Sequence, residues 1–185
     1  FDSSSTSPIS NNPFIQNTDK IDARDLKINE VEKSHYAIAQ KIKQMLMADA
    51  VPQNSSGISA DDVGVQLRVN SDVMFKPGSI DLLPEGTKVL EAVLKLMNEY
   101  NLYLVVRGHA DSSEAKPPYA SAWELSGARA AAMVHYLASH GIKPTRMRAV
   151  SYGDTRPLKP GIDEQSRALN RRVEFFFHRP EVMSY

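Results

Sequence analysis

From Val63 to His178 the spacing of the apolar residues changes period again and again, and this alternation limits the fold more than any other feature of the chain. Val63, Val65, Leu67 and Val69 alternate with Gly64, Gln66 and Arg68, the period-two pattern of a half-buried strand. After Pro84, placed as a first-turn proline, Val89, Leu90, Val93, Leu94, Met97 and Tyr100 mark one face of a helix. Leu102–Val106 is apolar almost throughout, as in a strand covered on both sides. Ser121 and Glu124 make a capping box for a helix that buries Leu125, Ala130, Met133, Val134 and Leu137 and stops at Gly141. A strand at Met147–Tyr152, a loop broken by Pro and Gly, and a final strand at Arg172–His178 complete the order. Strands and helices in this sequence predict an α/β fold, an α+β sandwich: one mixed four-stranded sheet with helices packed on one face.

Upstream the pattern is different. Residues 1–20 are rich in Ser, Asn and Pro without a sustained period and read as a flexible linker. In residues 21–49, Ile28, Val31, His35, Ile38, Ile42 and Met45 fall at alternating spacings of three and four, and Ile21 extends the register one heptad back. This long amphipathic helix has two possible uses: it lies on the compact domain, or it meets a second copy of the chain. A short stripe holding a His favours the first. Residues 50–60 carry turn chemistry and read as a second linker, 61–179 as the compact domain, and 180–185 as a tail. The chain opens on Phe1 rather than Met and shows no basic-then-apolar leader. A longer parent protein is therefore expected, with its anchor or signal removed.

Composition excludes several function classes. The chain has no Cys, which removes disulfide scaffolds, thiol catalysis, Cys-based zinc sites and a lipidated Cys within it. The 22 Lys and Arg balance 22 Asp and Glu, so no bulk charge holds a nucleic acid. Residues 143–179 do carry nine Lys or Arg against four Asp or Glu, a modest basic patch. No apolar run approaches the roughly 20 residues that span a bilayer. A nucleophile elbow, a zincin motif and a Gly-rich phosphate loop are all missing from the sequence. The five His residues have no metal-ligand spacing, so no cofactor and no metal are expected. His109 beside Asp111 reads as a structural, loop-orienting His.

The most informative pair is Asp111 and Arg129. Asp111 follows the apolar strand, and Arg129 sits two turns into the next helix. In a strand-loop-helix unit the helix packs back over the sheet, so the two groups can face one cleft. A carboxylate holds an ammonium and a guanidinium grips a carboxylate through parallel hydrogen bonds, so together they fit the head group of an amino acid. The alternative is a plain salt bridge between the two. An enzyme would instead need a proton-transfer pair, such as Asp111 with Glu114, or a metal.

From Asp72 to Phe177 the chain resembles the peptidoglycan-binding OmpA-like domain. The resemblance rests on VMFKPGSIDLLPEG, VRGHAD, LSGARAAAMVHYL, GIKPTRMRAVSYGDTRPL and NRRVEF, in that order. Within that superfamily, SAWELSGARA is similar to the form found in MotB-type flagellar stator proteins. The resemblance implies a non-catalytic anchor that clamps the diaminopimelate of the cell-wall stem peptide between Asp111 and Arg129. Arg171 and Arg172 are placed to assist, Arg172 having the alternative role of a buried pair partner at the start of its strand. It further implies a homodimer, a MotA-type partner met through a membrane helix outside this chain, and a periplasmic location on a single-pass inner-membrane protein of Gram-negative type. A general OmpA-like anchor of the outer membrane or of a secretion system is the alternative. Ala110 stands where the family usually has Thr, and Ala122 where stator relatives carry an Asn that hydrogen-bonds the peptide. Loss of one such bond predicts affinity about three- to tenfold weaker. The amphipathic helix is expected to detach or extend so that the domain reaches the wall.

Overall fold

The computed structural model describes residues 30–31, 33–46 and 56–180. The expectations for the arm at 1–20, for Ile21 and Ile28, and for the last residues of the tail lie outside them. In chain order the elements are helix α1 (within 30–46), strands β1 (Ser56–Ala60) and β2 (Gly64–Asn70), helices α2 (Ser71–Met74) and α3 (Pro84–Glu99), and strand β3 (Tyr103–His109). Helix α4 (Ala122–Ser139), a 3-10 turn at Pro144–Arg146, strand β4 (Met147–Ser151), helix α5 (Glu164–Asn170) and strand β5 (Arg172–His178) follow. No helix among the described residues is long and apolar enough to cross a membrane.

The last strand lies at the centre of the sheet, whose order is β1-β2-β5-β3-β4. β5 pairs antiparallel with β2 on one side and with β3 on the other, while β3 and β4 run parallel. Alternation sorts the two sheet faces. Val65, Leu67, Val69, Leu104, Val106, Val173, Phe175 and Phe177 are buried in the core with Val89, Leu90, Val93, Leu96, Met97, Met133 and Leu137 of α3 and α4. Each such side chain withdrawn from water stabilises the fold by roughly 1.5–3 kcal/mol. The opposite face carries the polar members of the same strands, among them Arg107, His109, Arg172 and Glu174. The predicted α/β class with helices on one face holds.

The strand count does not: the sheet has five strands, not four. β1 lies in the stretch read as linker and pairs with β2 from Ser56↔Val69 to Ala60↔Val65. Its sequence, SGISA, has one large apolar side chain and no alternation to read. Its place comes from backbone hydrogen bonds that β2 would otherwise leave open at an edge. The connecting turn is fixed by Asp61 Oδ1, which accepts from the amides of Val63 at 2.8 Å and Gly64 at 3.0 Å. Val63, expected in the strand, therefore sits in the turn with its side chain exposed.

The described part of the amphipathic helix lies on the domain. His35, Ile38, Ile42 and Leu46 are buried, and the apolar three join the main core. His35 Nδ1 donates to the Asp61 carbonyl at 2.5 Å, and Lys41 pairs with Glu99 beside Tyr100. The heptad stripe is thus used within the chain, as the favoured of the two readings expected.

Candidate functional site

The site is built where β3 ends and α4 begins. β3 continues its pairing past the strand, with Tyr152 N donating to Gly108 O at 3.0 Å and Ala110 N to Gly153 O at 2.9 Å. Helix α4 then crosses so close that a Cβ on Gly108 would lie 2.2 Å from the Ser126 carbonyl oxygen, a gap that only glycine leaves open. Ser126 ties the neighbouring turn to the helix: its hydroxyl bonds the Ala122 carbonyl at 2.8 Å, meets the Ser151 hydroxyl at 2.7 Å and accepts from Gly153 N at 3.1 Å. The capping box forms as predicted, with Ser121 accepting from Trp123 N and bonding Glu124. Asp111, two residues beyond β3, and Arg129, one turn beyond Ser126, are both positioned by this junction.

Neither pairs with the other. Asp111 Oδ1 accepts from the amide of Ser113 at 2.7 Å and from its hydroxyl at 2.6 Å, and Asp111 Oδ2 accepts from Arg171 Nη1 at 3.0 Å. Burial works against the Asp111 charge, but the Ser113 bonds and Arg171 outweigh it and hold the carboxyl below its ordinary range. Arg129 is only 1% exposed. Its Nε donates to the Ser79 carbonyl at 2.9 Å, its Nη1 to Glu114 Oε2 at 2.5 Å, and its guanidinium lies 5.1 Å from the Phe75 ring centre. Burial pushes the Glu114 carboxyl up in spite of Arg129, and Glu114 Oε1 is buried with no hydrogen-bond partner.

Arg171 is the hub of the cluster. It donates to Asp72 through Nε at 3.1 Å and Nη2 at 2.9 Å, to Glu164 at 2.6 Å and to Asp111. These partners, Asp72 first, raise its already high pKa, so it is always charged. Glu114 feels both Arg171 and Asp72. Four carboxylates thus face two guanidiniums in one connected group, a formal excess of two negative charges.

Beside this group is a cleft of about 200 Å³, lined by Asp111, Ala110, His109, Gly153, Arg156 and Lys159 among others. Its volume suits a small polar head group. Arg129 is not on its wall. Beneath it, His109 Nε2 bonds Glu174 Oε1 at 2.9 Å, and Arg172 Nε donates to Glu174 Oε2 at 3.0 Å. His109 stacks on Tyr152, the structural role expected of it. Burial resists the Glu174 charge, yet His109 and Arg172 bring its pKa down to about 2.

Of the predicted site residues, Asp111 and Arg171 come together directly. Arg129 joins them only through Glu114. Ala110 and Ala122 are buried with Leu125 in a small apolar cluster, and neither side chain has a polar atom to offer. Ser113, Asp72, Glu164 and the Ser79 carbonyl carry no sequence signal, since they lie in loops, at short helices or on the backbone. The sequence marks Glu114 only as a conceivable proton-transfer group.

The profile of the OmpA family matches residues 74–171. The chain is 38% identical over 108 residues to the peptidoglycan-associated lipoprotein of Pseudomonas aeruginosa, covering 58% of this chain and 62% of that protein. It is 28% identical over 120 residues to motility protein B of Helicobacter pylori, covering 63% of this chain and 47% of that one. The periplasmic domain of that H. pylori protein superposes at a TM-score of 0.60 with 27% identity, over 68% of this chain and 80% of that one. A MotB-like protein from Desulfovibrio vulgaris superposes at a TM-score of 0.74 with 27% identity, over 82% of this chain and 98% of that one. The chain spans about half to two thirds of the length of these two curated relatives.

Proposed function

This chain belongs to the OmpA family, and we propose that its compact domain is a non-catalytic anchor that holds peptidoglycan by the diaminopimelate of the stem peptide. The observation that carries the reading is Asp111: a carboxylate kept ionised by Ser113 and Arg171, on the wall of a small polar cleft. Such a group takes an ammonium; Arg129 lies off the cleft wall, behind Glu114, and reaches a neighbouring carboxylate once Glu114 gives way. Ala110 and Ala122 line the junction without polar atoms, so the ligand's remaining bonds go to backbone or to the cleft rim.

The finer reading is a MotB-type stator anchor, supported by the similarity to motility protein B and to the D. vulgaris protein. In that role the domain stands in the periplasm and fixes an ion-driven, MotA-type partner complex against the wall, as a homodimer joined to the inner membrane by one helix outside this chain. A second reading, a general cell-wall anchor, draws on the higher identity to the peptidoglycan-associated lipoprotein. A single membrane helix upstream in the parent protein selects the stator; a lipidated Cys or a barrel selects the other.

The test of binding is retention of the purified chain on isolated sacculi. Asp111→Asn should lower retention at least about tenfold, the cost of a charged hydrogen bond, while circular dichroism stays unchanged. Equal retention by a folded Asp111→Asn protein would remove the clamp.

A further inference from the structure

Ser113 and Glu114 engage, between them, the two charged groups that a zwitterion would engage. Ser113 presents donors, its amide and its hydroxyl, to Asp111 Oδ1. Glu114, the next residue, presents a carboxylate to Arg129 Nη1. Those are the two interactions that an amino-acid head group would make with Asp111 and Arg129. We propose that Ser113-Glu114 is an internal occupant of the clamp, so that the external ligand must carry both an ammonium and a carboxylate and must displace this dipeptide to bind. The inference rests on the clamp reading given above and adds to it what a ligand must displace.

Three observations support an occupant that leaves rather than a permanent strut. The dipeptide belongs to the 110–121 connection and not to a strand or helix, so the sheet does not hold it. Its backbone is held only to Asp111, by Ser113 N on Oδ1 at 2.7 Å and by Glu114 N on the carbonyl at 3.2 Å, and the first of these is the bond that a ligand ammonium would replace. Its carboxylate is poorly served: Oε2 meets Arg129, but Oε1 is buried without a partner. Arg129 in turn uses Nε and Nη1, and Nη2 donates to nothing among the described residues. A ligand carboxylate that engages both Nη atoms would satisfy the guanidinium better than Glu114 does. Because the two residues are adjacent, an ammonium that takes Asp111 from Ser113 also loosens Glu114. The two ends of the ligand therefore open the site together, and a ligand with only one of them opens half of it.

The probe is free meso-diaminopimelate, titrated calorimetrically into the purified 185-residue chain, with unfolding monitored in parallel. Glu114→Ala should bind it about tenfold more tightly than wild type, and Asp111→Asn should lose binding. If Asp111→Asn loses binding but Glu114→Ala gains nothing, the clamp stands and the internal occupant is refuted. If wild type, Glu114→Ala and Asp111→Asn all fail to bind differently, both ideas fall. Should Glu114→Ala prove too unstable to purify, Glu114→Gln carries the same sign, with a gain of about threefold. Amide exchange in the wild type supplies an independent check: saturation with diaminopimelate should speed exchange at Ser113 and Glu114, and unchanged protection there would overturn the proposal.

Discussion

Beneath the cleft a single carboxylate holds an imidazole and a guanidinium. Glu174 receives His109 on one oxygen and Arg172 on the other, and its pKa falls from 4.5 to about 2. A carboxyl whose folded pKa lies below its unfolded one adds stability that is complete above pH 4.5 and is lost as the pH drops through 4.5 toward 2. Glu174→Gln should therefore cost about 3 kcal/mol at neutral pH, since it leaves a buried Arg172 without its counter-charge. The variant's stability should also depend less on pH between 4.5 and 2 than that of wild type. Denaturant titrations of both proteins at several acidic pH values measure this; parallel curves would show that Glu174 is not the group responsible. Asp111, Glu124 and Asp163 shift in the same direction and Glu114 in the opposite one, so the variant isolates one contribution among five. The same residues show the reach of sequence reading at this scale. Asp111, Arg129 and Arg171 were legible because they stand in recognisable strings beside regular elements. The pairing of Glu114 with Arg129 was not, because a carboxylate in a connection has no period to mark its partner, which lies 15 positions away.

Among elements, the junction of β3 with α4 decides where the charges stand. Gly108→Ala would drive a methyl group into the Ser126 carbonyl, and the fold should lose about 3 kcal/mol as helix and strand move apart. Thermal unfolding reads the loss; a variant as stable as wild type would mean that the two elements can separate freely. This close approach was not visible in the sequence, where Gly108 is one small residue at a strand end. What could be read were elements with a strong period or a defined cap: β5 over Arg172–His178, the Pro84 start of α3, and the Ser121 cap of α4. β1 escaped because nothing in SGISA except Ile58 announces a strand, and its position depends on the vacant edge of β2. Backbone pairing of this kind is a property of the neighbour and not of the segment itself.

On the scale of the molecule, α1 is docked through His35, Ile38, Ile42 and Leu46 and is held at its flank by Lys41 and Glu99. If reaching the wall requires this helix to leave, a tether across the joint should stop it. The chain has no Cys of its own, so within it Lys41→Cys and Glu99→Cys can be bridged selectively by a bismaleimide. Swimming should cease while the domain keeps its fold, and undiminished motility would show that the helix works where it lies. The sheet order carries a consequence for how the protein is made. β5, the last of the five described strands in chain order, is the one that joins the β1–β2 hairpin to the β3–β4 pair. A chain that emerges from a ribosome or an export channel with its N-terminus leading can assemble each half, but it cannot unite them until Arg172–His178 has come out. Closure of this domain therefore waits on its C-terminal strand, and a nascent chain stays unlocked, and threadable, until β5 has passed.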